Sequence, residues 1–226
     1  MSVERLFKVL SQVEEERATW DRHYQEIAER ILPRHSEFQF EWTKGAKRQD
    51  KIFDETAALA LTRFASVLDS GLTPQGQTWQ GLISSNPDLN RNLNVRNYFD
   101  EVTRILFLER YSTKSRFGNQ VHEHYTQLGA FGTSCMFVRG RKDGGISYKT
   151  LPLSRTYIME NNEGIIDTVY MKFKMTARQA EQEWGIDSLP DQIANAARET
   201  PHREFDFVHA VMPANDYDPI RVDFAG

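Results

Sequence analysis

The sequence predicts an α+β fold in which long helices come first and a mainly antiparallel, strand-rich part with short attached helices follows. Three observations carry this expectation. From Val3 to Leu32 apolar residues recur at spacings of three and four, and from Lys51 to Leu82 an alanine- and leucine-rich run is bounded by helix signals at both ends. Beyond Gly129 the period falls to that of strands separated by Asn- and Gly-containing turns. Long helices and strands do not alternate, which disfavours a parallel doubly wound sheet. The helical part is expected over residues 1–131 and the β-rich part over 132–226.

In the first helix Leu6, Leu10, Val13, Trp20, Tyr24, Ile27 and Ile31 form one apolar stripe, interrupted in register by Arg17. A stripe packed on its own domain is the commoner reading of such a pattern, with a coiled coil as the alternative. Pro33 ends the helix because its ring blocks the hydrogen-bond ladder. From His35 to Asp50 the chain is polar, with Phe38, Phe40 and Trp42 at alternate positions, which suggests a short strand or an extended arm. Lys44, Lys47, Arg48 and Lys51 form a basic cluster, the best local candidate for a phosphate-backbone or subunit contact, although a solvated loop is the commoner explanation.

The next segment is expected to be a buried core helix over 54–70. Asp54 is placed to cap it, while Gly71 followed by Pro74 supplies a left-handed stop and a block. Between Ala57 and Leu68 the only charged side chain is Arg63, the pattern of a helix surrounded by protein. Leu61, Phe64, Leu68, Gly71, Pro74 and Trp79 are the expected structural core, with Trp79 pinning the loop that leaves the helix.

After a loop over 84–94, a second amphipathic helix carries Val95, Phe99, Val102, Leu106 and Glu109 on one face, with Tyr98 and Ile105 beside it. A third runs roughly from Phe117 to Leu128. Gly129 and Gly132 are expected to turn the chain into strands. Cys135–Val138 and Ile146–Tyr148 flank the Asp143-Gly144-Gly145 turn, and Thr156–Met159 and Ile165–Met171 flank Asn161–Gly164. Thr176 and Gln179 match a capping box closed by Gly185, a short helix ends near Glu199, and strands are expected at 205–212 and 217–224.

Composition bounds the function. Of 226 residues, 39% are hydrophobic and 27% charged, as in ordinary soluble proteins. A net charge of −4 gives no global basic field, so any DNA contact must be local. One cysteine, Cys135, excludes an intrachain disulfide and a multi-cysteine zinc site. It sits in an apolar Met-Phe-Val run and reads as a packing thiol rather than a nucleophile. His122 and His124 lie about 200° apart on a helix and make a poor metal pair. No apolar run reaches the roughly 18 residues of a membrane span, and the first ten residues are too polar for a secretory signal. No nucleophile elbow, phosphate-binding loop, dinucleotide fingerprint or zinc-protease motif is present, so an enzyme is the weaker reading.

An ordered set of motifs runs along the chain. Trp20 and Ile27-Ala28 lead to Ile31-Leu32-Pro33-Arg34; an acidic cap and Thr56-Ala57 open an apolar helix that exits through Gly71-Leu72-Thr73-Pro74 into Trp79. Tyr125, Leu128-Gly129 and Phe131-Gly132-Thr133 follow, then Leu151-Pro152-Leu153-Ser154 with Tyr157-Ile158, and last Met175-Thr176-Ala177-Arg178-Gln179. Together they resemble the N-terminal region of the portal, or head-to-tail connector, proteins of short-tailed bacteriophages. The resemblance implies a non-enzymatic structural subunit without cofactor or metal. Such subunits form a ring, generally a dodecamer, at one capsid vertex, through which double-stranded DNA is packaged and ejected. The partners implied are further copies of the chain, the terminase, a tail adaptor and capsid proteins. The implied location is the head-tail junction of the virion, after synthesis in the bacterial cytoplasm. Family members run longer, so this sequence is expected to be an N-terminal portion supplying the wing-like outer body. The alternative is a DNA- or protein-binding adaptor that forms no ring and uses the basic arm 44–51.

Overall fold

The computed structural model describes residues 3–43, 45–47 and 51–216. Six α-helices and five strands occur among them: α1 (Val3–Ile31), α2 (Thr56–Leu72), α3 (Leu93–Arg110), α4 (Phe117–Phe131), β1 (Cys135–Gly140), β2 (Ile146–Leu151), β3 (Thr156–Glu160), β4 (Ile166–Thr176), α5 (Ala177–Trp184), α6 (Asp191–Glu199) and β5 (Glu204–Val211). The four long helices precede the strands, the short α5 and α6 are attached between β4 and β5, and every strand pairing is antiparallel, so the fold is α+β as the sequence predicts. There are two sheets among the described residues, β1-β2 and β3-β4-β5. The strand expected at 217–224 lies outside the described residues.

The chain folds as two compact units that do not follow the change from helix to strand. One gathers the chain up to His23 and from Ser154 onward; the other is Tyr24–Leu153. The residues at 129–133 therefore fall inside the second unit, because the β1-β2 hairpin packs against α4 of that unit.

In the first unit Leu10 buries against Tyr157 and Tyr170, with Leu6, Val9 and Val13 around them. Arg17, the residue that interrupts the apolar stripe, is the polar anchor of this packing. Its guanidinium donates to the carbonyls of Ser154 and Thr156 and to Asp21, and lies 3.9 Å from the centre of the Tyr157 ring. Burial raises the pKa of the Asp21 carboxyl, and the adjacent Arg17 opposes that rise. Thr176 accepts from the Gln179 amide while Gln179 accepts from the Thr176 amide, so the capping box is complete, and Gly185 closes α5 at φ +81°.

In the second unit Ala28 packs with Phe131 and Leu153, and Tyr24, Phe38 and Phe131 form a ring cluster with centres 5.3 to 5.5 Å apart. The other core is built on α4: Phe117, Val121 and Tyr125 with Ala65 of α2 and Tyr148 of β2. α4 ends at Gly132 with φ +75°, a conformation open to glycine. Gly129, by contrast, stays within the helix. A Cβ there would lie 2.7 Å from Phe64 and 2.8 Å from Leu61, so this glycine allows α2 and α4 to approach closely.

Candidate assembly and nucleic-acid contact site

Residues 36–43 form no strand; they are tied back to α1 by a buried polar knot. The Gln25 carbonyl oxygen accepts from the amides of Phe38 and Gln39, and its NH2 donates to the Ser36 carbonyl and to Glu29. Trp42 donates its indole N–H to the same Ser36 carbonyl at 2.8 Å, and the Phe40 and Trp42 rings meet edge to face. The segment thus bends through residues 38–40 and folds back on itself and on Gln25, taking no sheet register. Nothing in the local sequence marks Gln25 for this role, because a lone glutamine on a helix usually faces water.

Lys44 and Arg48 lie outside the described residues. Lys47 is exposed. Lys51 pairs with Glu29 at 2.6 Å, and that ammonium, ahead of the Gln25 contact, holds the Glu29 carboxyl below its usual pKa. The charge of Lys51 therefore already has a carboxylate partner, although an exposed pair of this kind contributes only about 0–1 kcal/mol. A phosphate would have to compete with Glu29 for it.

The helix α2 begins where the sequence places its cap: Asp54 accepts from the backbone amide and the hydroxyl of Thr56 at 3.0 and 2.8 Å. Its end differs from expectation. Gly71 remains helical, and a Cβ there would meet only open space, while Thr73 terminates the helix by donating its amide to the Asp69 carbonyl and sharing its hydroxyl with Asp69 and Tyr125. Pro74 then blocks continuation.

Trp79 pins the exit. Its ring stacks on Phe117 with centres 6.3 Å apart and meets Phe107 edge to face, its N–H donates to the Tyr111 hydroxyl at 3.0 Å, and the Arg110 guanidinium covers it. Tyr111 in turn donates to the Thr73 carbonyl at 2.9 Å. Leu61 is buried and Leu68 and Pro74 are half-buried, but Phe64 is 45% exposed.

The circumference of α2 is not enclosed within one chain. Leu61 and Ala65 are its buried residues, whereas Leu59 is 65% and Val67 63% exposed, with Arg63 between them open to solvent. On α3 the face carrying Val95, Phe99, Val102, Leu106 and Glu109 is half-buried. The adjoining row is exposed: Tyr98 at 65%, Ile105 at 51% and Leu108 at 61%. Glu101, in that row, holds a bidentate pair with Arg104 at 2.7 and 2.9 Å.

Three histidines lie on or beside α4. His35 bonds Glu123 at 2.7 Å, His122 lies 3.5 Å from Asp69, and half-burial pushes the pKa of His124 down. Among the described residues no group of three or more His, Cys, Asp or Glu side chains is placed to hold a metal ion. Cys135 is half-buried and burial raises its thiol pKa. No helix among the described residues is long and apolar enough to cross a membrane.

The family model for bacteriophage head to tail connecting protein matches residues 3–225. A probable portal protein of Bordetella phage BPP-1 is 29% identical over 214 residues, which is 94% of this chain and 38% of that relative. The portal protein of Salmonella phage epsilon15 is 29% identical over 191 residues, 84% of this chain and 34% of that relative. The chain thus spans little more than a third of the length of these curated relatives.

Proposed function

The chain belongs to the family of bacteriophage head to tail connecting proteins, and we propose that it acts as part of a portal subunit in a closed ring at the head-tail junction of the virion. The observation that carries this reading is the continuity of the match, residue 3 to residue 225, through both compact units. It is a structural role, without turnover. In this reading copies of the chain, generally twelve, meet head to tail around an axis. Double-stranded DNA passes through the centre during packaging and ejection, and terminase, tail adaptor and capsid proteins dock on the ring. The subunit is made in the host cytoplasm before assembly. The helical and β-rich parts, 1–131 and 132–226, would together form its outer, wing-like body.

The physical features agree with such a role. A closed ring needs heterologous contacts between two different faces of one subunit. The exposed apolar rows of α2 and α3 are two such faces, and large apolar patches on a soluble chain mark interaction surfaces. An acidic chain without a recognition module suits a conduit that meets DNA by shape rather than base readout. Lys44, Lys47, Arg48 and Lys51 remain the candidate DNA or subunit contacts, and Leu61, Phe64, Leu68, Gly71, Pro74 and Trp79 the proposed structural set.

Negative-stain electron microscopy of the complete gene product, with native mass measured on the same sample, tests the reading. Rings with a central hole are expected. Uniform small particles that retain duplex DNA, and lose it when the four cations are replaced by glutamine, would overturn it in favour of the adaptor.

A further inference from the structure

We propose that the Leu59–Arg63–Val67 row of α2 docks on the Tyr98–Glu101–Ile105–Leu108 row of α3 in a second copy of this chain; the proposal rests on the ring reading and names its subunit contact.

Both rows are exposed and their chemistry is complementary; Glu101 is paired within its own helix, to Arg104. On α2 an arginine stands between two exposed aliphatic side chains at successive four-residue steps. Among the described residues no carboxylate pairs with Arg63. On α3 a carboxylate stands between an exposed tyrosine and an exposed isoleucine, with Leu108 continuing the row. Four-residue steps place the α2 row over about 12 Å, and the seven steps from Tyr98 to Ile105 cover about 10.5 Å, so the charges and flanking apolar groups can meet in one register. The α2 row is an i, i+4 ridge and the α3 row combines i+3 and i+4 steps; ridges with these spacings are the ones that seat into a facing helix.

The α2 row cannot serve as its own partner, because a two-fold pairing centred on Arg63 would set two guanidinium groups against each other. Pairing with the α3 row sets Arg63 against a carboxylate that shares its oxygens with Arg104 instead of against a second guanidinium, and it uses two different faces, the geometry a closed ring requires. Glu101 remains available: its pair with Arg104 is solvent-exposed and contributes little, and a carboxylate has acceptor sites for a second guanidinium. Tyr and Arg are also the side chains most often found to dominate interface energetics.

The test is self-association of the complete gene product by sedimentation and negative-stain imaging, with Arg63→Glu and Glu101→Arg made separately. Each variant alone is expected to raise the dissociation constant about ten-fold or more, since like charges then face each other. An equimolar mixture of the two is expected to assemble, in strict alternation, because every contact again pairs opposite charges; the double variant is expected to assemble alone. Both positions are exposed, so circular dichroism spectra are expected to match wild type, with at most a small fall in melting temperature for Glu101→Arg, which gives up the exposed pair with Arg104. Wild-type rings unaffected by either substitution would overturn this contact while leaving the ring reading intact. Weakened single variants that fail to rescue each other would overturn the Arg63–Glu101 pairing. A wild-type protein that does not self-associate would overturn both.

Discussion

Replacing Arg17 by methionine asks whether a charged residue inside an apolar stripe anchors α1 to its unit. The side chain, 14% exposed, donates to the Ser154 carbonyl at 3.0 Å, to the Thr156 carbonyl and to Asp21 at 2.8 Å, and covers the Tyr157 ring. Each hydrogen bond from a charged group contributes about 1.5–3 kcal/mol, and leaving one partner of a buried pair alone costs about 3–5 kcal/mol. Methionine keeps the apolar stem, and partial solvent access lets water reach some of the freed carbonyls. The expected loss is therefore about 3 kcal/mol, a fall of roughly 6–12 °C in melting temperature for a chain of this size. The loss also depends on pH. Burial already raises the Asp21 pKa against the pull of Arg17, and without the guanidinium it rises further. A carboxyl whose folded pKa exceeds its unfolded one binds more protons when folded, so stability declines as pH rises through that range. The deficit of Arg17→Met is thus greatest near neutrality and shrinks on acidification, and Arg17→Met/Asp21→Asn removes that pH dependence. Urea denaturation followed by circular dichroism at several pH values measures both quantities. A loss below about 0.5 kcal/mol, or a deficit that does not change with pH, would refute the anchoring role.

Two further substitutions test how α2 is held in its own unit. Gly129→Ala brings a Cβ to 2.7 Å from Phe64 and 2.8 Å from Leu61. Overpacking costs about 1–3 kcal/mol and the gain in helix propensity returns about 1, so a net loss of about 1 kcal/mol is expected by urea denaturation, relieved in part by Phe64→Ala. Trp79→Phe keeps an aromatic side chain but replaces the indole with a smaller phenyl ring and removes the N–H donated to Tyr111; a loss of about 1–3 kcal/mol and an altered near-ultraviolet circular dichroism spectrum are expected, and an unchanged midpoint would refute the pinning role.

The elements that were legible in the sequence are those whose signal is local. The Thr176–Gln179 capping box, the Asp54 cap, the Gly144-Gly145 and Asn161–Gly164 turns and the stop at Gly132 each act within a few residues of chain, and each appears where its residues stand. What was not legible depends on distant partners. Arg17 reads as a flaw in a stripe until the Ser154 and Thr156 carbonyls, 137 and 139 residues away, are brought to it. Gln25 gathers the 36–39 backbone by the same means. Gly71 has the identity of a helix stop but not the role, because the Thr73 hydroxyl finds both Asp69 and Tyr125 and closes the helix two residues later.

The circumference of α2 is a different kind of case. Hydrophobic periodicity reports which side chains leave water in the functional state, and it is silent on which chain covers them. A helix apolar almost all round predicts burial; within one chain α2 buries chiefly the side that Gly129 admits against α4 and leaves Leu59 and Val67 in solvent. On the ring reading these two facts agree. On that reading the second cover would be another copy, and Arg63, the sole charge of the run, would sit on the face that a neighbour's carboxylate completes. A helix destined for the core of a monomer has no use for an arginine there. A helix shared between subunits does, since a single charge in an apolar row selects one partner face and rejects its own.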